Sequence, residues 1–91
     1  MAILIDEPRW PAHGRLWAHL VSDASLDELH EFAAIAGIPR RGFDLDHYDV
    51  PAERWEALVE LGAEPVGVRE FVERLERSGL RVKQRDRTRT A

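Results

Sequence analysis

Three apolar stripes at helical spacing, each closed by a glycine, set the main constraint on how this chain can fold. The first opens at Ser25-Leu26-Asp27-Glu28, a capping box in which the Ser25 hydroxyl can accept from the Glu28 backbone N–H while the Glu28 carboxylate reaches back to the Ser25 N–H. Leu26, Leu29, Phe32, Ala33 and Ala36 then recur every three or four residues until Gly37 supplies a left-handed stop. Trp55, Leu58, Val59 and Leu61 form the second stripe, ended by Gly62, and Val68, Phe71, Val72 and Leu75 the third, ended by Gly79. Helices with one apolar face need a second layer to cover it.

That layer has to come from short strands. Ala2-Ile3-Leu4-Ile5 is an unbroken apolar run ending at Asp6 and Pro8, the pattern of a strand buried on both faces, and so of a central parallel strand. From Glu7 to Ala24 no clean period is present, and Pro8, Pro11 and Gly14 forbid one long helix, so this stretch reads as a long, functional connection. Phe43 to Val50 alternates weakly and reads as a loop entering a short strand. Pro51 suits the first turn of the second helix, with Asp49 or Val50 as its N-cap. Glu64-Pro65-Val66 can add a very short strand, and Leu80-Arg81-Val82 either an edge strand or a frayed end. The order predicts an α/β fold: a small single domain over residues 1–80, with a short, mostly parallel sheet, right-handed crossovers and about three helices. Residues 81–91 are expected to form a basic, flexible tail.

Composition narrows the function classes. Ninety-one residues suffice for one thin core, burying roughly 60–65% of the unfolded surface. Apolar residues at 44% and charged residues at 33% point to neither disorder nor a coiled coil. Without cysteine there is no disulfide framework, thiolate metal site or cysteine nucleophile, and a cytoplasmic home is the natural expectation. The opening MAILIDEPRW lacks a basic leader region and is broken by Asp6, so it is not read as a signal peptide, and no apolar run is long enough to span a bilayer. Residues 1–80 carry eight basic against sixteen acidic side chains, while residues 81–91 carry five against one. The body should repel nucleic acid, and only the tail could attract it.

Function is therefore sought in the acid-and-imidazole stations of the first half: Asp6, His19 with Asp23, His30, and His47 with Asp49. These residue types bind divalent metals or move protons near neutral pH. Asp6 closes a strand, where it can serve as ligand, general base or turn partner. His47 and Asp49 are two apart and share a face if extended, although Asp49 is also a good helix cap. His19 and Asp23 are one helical turn apart. His30 sits within the first helical stripe, where a packing role competes with ligation, and His13 lies in a turn beside Gly14. Ser22 would be a nucleophile only with a histidine in reach, and no nucleophile-elbow motif surrounds it. Trp10 and Trp17 can wall a pocket or an interface, or merely cover a thin core, and Arg54, with Arg40 and Arg41, could hold a phosphate or carboxylate. Glycine-rich phosphate loops, HExxH, EF-hand loops and zinc-finger spacings are all missing.

Taken jointly, Ile3-Leu4-Ile5-Asp6, Trp17-Ala18-His19-Leu20-Val21-Ser22-Asp23, Glu28-Leu29-His30-Glu31-Phe32-Ala33, His47-Tyr48-Asp49, Arg54 and Leu61-Gly62-Ala63 resemble a family of small bacterial and phage proteins. It is catalogued as a domain of unknown function, number four thousand and thirty-one. The resemblance covers residues 2–66 and implies short, cysteine-poor, cytoplasmic proteins; it assigns no activity and gives no residue a role.

The residues themselves support a first expectation of a metal-binding, hydrolytic site acting on a small anionic substrate such as a phosphoester. Asp6, His19, His47 and Asp49 would be ligands to Zn²⁺, Mn²⁺ or Fe²⁺, with Asp23 completing the catalytic group and Trp10, Trp17, Ser22 and Arg54 contacting substrate. The alternative is a non-enzymatic interaction module whose Trp10–Trp17 segment docks a partner or a second copy of the chain. A third, nucleic-acid processing, needs the basic tail to matter.

Overall fold

The computed structural model describes residues 2–82. It has six strands, β1 (Ile3–Ile5), β2 (Trp10–Ala12), β3 (Arg15–Ser22), β4 (Phe43–Asp44), β5 (His47–Pro51) and β6 (Glu64–Pro65), and three helices, α1 (Leu26–Ala36), α2 (Trp55–Glu60) and α3 (Val68–Ser78). Single 3₁₀ turns occupy Arg40–Gly42 and Ala52–Arg54. The strands form one mixed sheet in the order β4-β5-β3-β1-β6, with β2 alongside the outer part of β3.

The α/β class and the three helices follow the sequence pattern, whereas the sheet is mostly antiparallel rather than mostly parallel. Only β1 and β6 run parallel. The cause lies in the stretch read as a long connection, which is a hairpin. His13 (φ 51°) and Gly14 (φ 75°) both take positive φ, the backbone of a two-residue hairpin turn, and return the chain as β3. Pro11 is tolerated because β2 pairs on one side only. A second reversal through Leu45 (φ 59°) joins β4 to β5. β3 hid from periodicity analysis because both its faces carry apolar residues: Ala18 and Leu20 on one, Trp17 and Val21 on the other.

One sheet face is closed by α1 and α2. Ile3, Ile5, Ala18, Leu20, Tyr48 and Val50 pack there against Leu29, Ala33, Ala36 and Leu58. The opposite face is covered by α3 over a smaller cluster of Leu4, Val21, Phe71 and Leu75. At α1 the Ser25 hydroxyl accepts from the Glu28 N–H at 3.0 Å as expected, but the Glu28 carboxylate accepts from the Ser22 hydroxyl (2.5 Å) instead of reaching back to Ser25. Gly37 (φ 77°) ends the helix in the left-handed conformation that a β-carbon disfavours. Neither Asp49 nor Val50 caps α2: both lie in β5, and Pro51 ends that strand before the 3₁₀ turn. Leu80–Val82 join no strand, though the Val82 N–H donates to Asp46. The tail from residue 83 onward lies outside the described residues. No helix among the described residues is long and apolar enough to cross a membrane.

Candidate metal centre

Side chains alternate across a strand, so the residues between the core positions of β1, β3 and β5 face the α3 side. Asp6 follows Ile5, His19 lies between Ala18 and Leu20, and His47 and Asp49 flank Tyr48. Cross-strand register then completes the approach: His19 is directly opposite Asp49 in the β3–β5 ladder. His19, His47 and Asp49 each offer a ligand atom, and these atoms lie within 4.8 Å of one another.

Each imidazole is held from behind by a buried carboxylate. The His19 Nδ1–H donates to Asp6 Oδ2 (2.8 Å) and the His47 Nδ1–H donates to Asp46 Oδ1 (2.6 Å). A carboxylate only accepts, which fixes the proton on Nδ1 and turns Nε2 forward. Both Nε2 atoms meet the same oxygen: Asp49 Oδ1 is 3.2 Å from His47 and 3.8 Å from His19. Ligand atoms around a tetrahedral zinc ion stand about 3.3 Å apart, so the His47–Asp49 pair already has that spacing and His19 would move closer to share one ion. The two rings are set edge to face, 4.9 Å between centroids.

The backing groups are themselves anchored. Asp6 is 2% exposed, and its carboxylate also accepts from the His19 backbone N–H (2.6 Å) and the Trp10 indole N–H (3.1 Å), while its carbonyl accepts from the Trp55 indole (2.8 Å). Asp46, also 2% exposed, accepts from the Val82 N–H at 2.7 Å. Burial of His47 opposes its charged form, but hydrogen bonds to Asp46 and Asp49 outweigh burial and raise its pKa to about 9. Without metal, then, His47 is an imidazolium between two acids at neutral pH. Coordination at Nε2 would displace that proton.

Asp6 therefore stands one hydrogen bond behind the candidate trio, in the position from which a carboxylate can orient a ligating histidine. Asp23 is not brought to the group. It sits at the other end of β3, where it accepts from the Ala2 N–H (2.7 Å) and pairs with Arg74 (2.8 Å). Burial alone would raise its pKa, yet the Arg74 and Ala2 hydrogen bonds prevail and hold it below the ordinary carboxylate value. Ser22 has no histidine beside its hydroxyl, which donates to Glu28 and accepts from the Ala24 and Ser25 N–H groups. Arg54 donates to the Ala36 carbonyl at the end of α1. His30 packs under the other sheet face, where its Nδ1 shares a hydrogen bond with the buried Tyr48 hydroxyl (2.8 Å), and burial lowers its pKa.

Asp46 is the member of the candidate centre that sequence reasoning missed. Strict alternation sends it to the face opposite His47, but positive φ at Leu45 makes this stretch a turn, and the carboxylate curls back to its neighbour. The cluster of Asp44, Asp46 and Asp49 around one histidine was the available signal.

Two clefts meet at the centre. A cleft of about 470 Å³ runs under α3 past His47 and Phe71, and another of about 770 Å³ runs past Asp49, Trp17 and Phe43; Trp10 and His19 line both.

The model of the family described as Protein of unknown function (DUF4031) matches residues 3–78. No curated protein and no solved structure matches the chain. His19, His47 and Asp49, and both backing aspartates, fall inside the matched span, and the chain belongs to this family of proteins of unknown function.

Proposed function

We propose that His19, His47 and Asp49 form a mononuclear divalent-metal centre that activates water to hydrolyse a small anionic ester, a phosphoester first among them. One observation carries the reading: two imidazoles, each backed by a buried carboxylate, present Nε2 to a single aspartate oxygen. Packing alone gives no reason for that duplication, whereas orienting and strengthening metal ligands does. Two imidazoles and one carboxylate leave a fourth position for water, as in hydrolytic zinc sites, and Mn²⁺ or Fe²⁺ suits the same mixed donors. An ion held by His19, His47 and Asp49 would lower the pKa of a bound water toward about 7 and so supply the nucleophile. In the hydrolysis such a centre would support, the water oxygen would bond to phosphorus as the ester P–O bond breaks, one water proton passing to solvent and the departing alcohol oxygen taking one up. Water is the only co-reactant, and no electrons are exchanged. Asp23, Ser22 and Arg54 are engaged elsewhere and take no part in this proposal.

Elemental analysis and calorimetric titration with Zn²⁺, Mn²⁺ and Fe²⁺ test the reading. About one ion per chain is expected for at least one metal, with hydrolysis of bis(4-nitrophenyl) phosphate by the loaded protein. Asp49→Ala should weaken binding by more than about a hundredfold, beyond the effect of losing an outer partner. Failure of all three ions to bind overturns the proposal.

A second reading, the interaction module, draws on Trp10 and Leu16, which stand exposed on the β2–β3 hairpin. It requires Trp10→Ala to change the oligomeric state, and His47→Ala to change stability but no ligand affinity.

A further inference from the structure

We infer that the larger cleft takes a phosphoester carrying a flat aromatic ring, with the ring stacked on Trp10 and the phosphate held by Arg41. This rests on the metal-centre reading and names the substrate class for it. The cleft's volume of about 770 Å³ falls within the range of small-molecule sites. Its aromatic wall offers faces rather than hydrogen bonds. The Trp10 indole N–H is committed to Asp6, and that of Trp17 to the Ala12 carbonyl at 2.9 Å. With those polar edges occupied, Trp10, 39% exposed as a residue, presents ring surface, with the His19 ring at 5.3 Å between centroids and the Arg9 guanidinium 6.0 Å from the Trp10 centroid. Such a surface selects a planar π-system.

One cation on the wall is available to an anion. Of the two arginines lining this cleft, Arg54 is occupied by the Ala36 carbonyl. Arg41 is exposed and forms no ion pair among the described residues. It precedes Gly42, whose β-carbon, were one present, would stand 3.5 Å from the Asp49 carbonyl oxygen. That close approach sets the 3₁₀ turn bearing Arg41 beside the backbone of Asp49, and both residues line the cleft. Arg suits a phosphate because its planar fork matches two oxygens at once. Asp44 and Asp49 line the same cleft and would repel an anion, so capture should also require the charge of the ion.

Phenylphosphonate and methylphosphonate test this directly, since they share the anionic head, resist hydrolysis and differ by the ring. Metal binding is measured first by calorimetry, which separates failure of the metal centre from failure of the ring site. The Zn²⁺-loaded protein should bind phenylphosphonate about tenfold more tightly than methylphosphonate. Trp10→Phe should keep that preference and Trp10→Leu abolish it; both lose the indole N–H to Asp6, so the difference between them reads the ring alone. Arg41→Gln should weaken both ligands by a similar factor. In the wild-type protein, the Trp10 indole proton resonance should shift with phenylphosphonate far more than with methylphosphonate, a readout that needs no variant to fold. Equal affinities on a protein that does bind metal, or a preference surviving Trp10→Leu, would overturn the inference and leave the metal centre standing.

Discussion

The two faces of this sheet are built from the same three strands, yet one is a core and the other a site. Toward α1 and α2, β1, β3 and β5 send Ile3, Ile5, Ala18, Leu20, Tyr48 and Val50, and the polar groups there are paired, the Tyr48 hydroxyl with His30 and the Ser22 hydroxyl with Glu28. Toward α3 the same strands send Leu4 and Val21, then Asp6, His19, His47 and Asp49. α3 packs directly on the Leu4–Val21 end and leaves a cleft over the other, where the Asp49 side chain is 45% exposed while Asp6 and Asp46 stay buried. A buried charge is costly unless it is paired and hydrogen-bonded, and buried Asp6 and Asp46 each accept more than one hydrogen bond. The contrast teaches that stability and chemistry are assigned here to alternate residues of single strands.

Truncation should separate the faces most sharply. Leu20→Ala, on the closed face, should cost about 2–5 kcal/mol in urea unfolding, because a fully buried side chain leaves a cavity. Its neighbour His19 faces the other way, and His19→Ala should act mainly on metal affinity; a loss of stability as large as that of Leu20→Ala would erase the distinction between the faces.

Acidity sharpens the comparison next. Folding raises the pKa of His47 from 6.5 to about 9, so its stabilising contribution is complete below pH 6.5 and disappears as pH rises through 9. Metal-free protein should therefore lose up to about 3 kcal/mol across that window, and His47→Gln should flatten the profile. A wild-type profile that stays level from pH 6 to 9.5 would contradict the charged state assigned to His47.

The backing carboxylates should have smaller effects. Asp6→Asn leaves all three ligand atoms in place and should weaken metal binding about ten- to a hundredfold, measured by competition with a chelating dye. Smallest of all is Ser25→Ala at the start of α1, which should cost about 1 kcal/mol and leave metal affinity unchanged.

Several of these features were open to local reading. The capping serine, the glycine stops at Gly37 and Gly79 and the stripes between them are short-range chemistry, and α1 and α3 lie where that chemistry puts them. The i, i+2 spacing of His47 and Asp49 is likewise local, and once β5 is extended they share a face. The hairpin was less visible: β2 is three residues long with none of them buried, and β3 has apolar residues on both faces, so no alternation announces either. Missing it turned an antiparallel sheet into a parallel one.

The sequence by itself determined the α/β class, the helix ends and the residue types from which a polar centre could be made, because each depends on interactions within a few residues. Only the tertiary structure decided which of them meet. Strand register puts His19 opposite Asp49, the positive-φ turn at Leu45 folds Asp46 behind His47, and Asp23 is drawn away to Arg74 on α3. Pairing across a sheet links residues dozens of positions apart through backbone hydrogen bonds that every residue type forms alike, so the side chains carry no local mark of their partners.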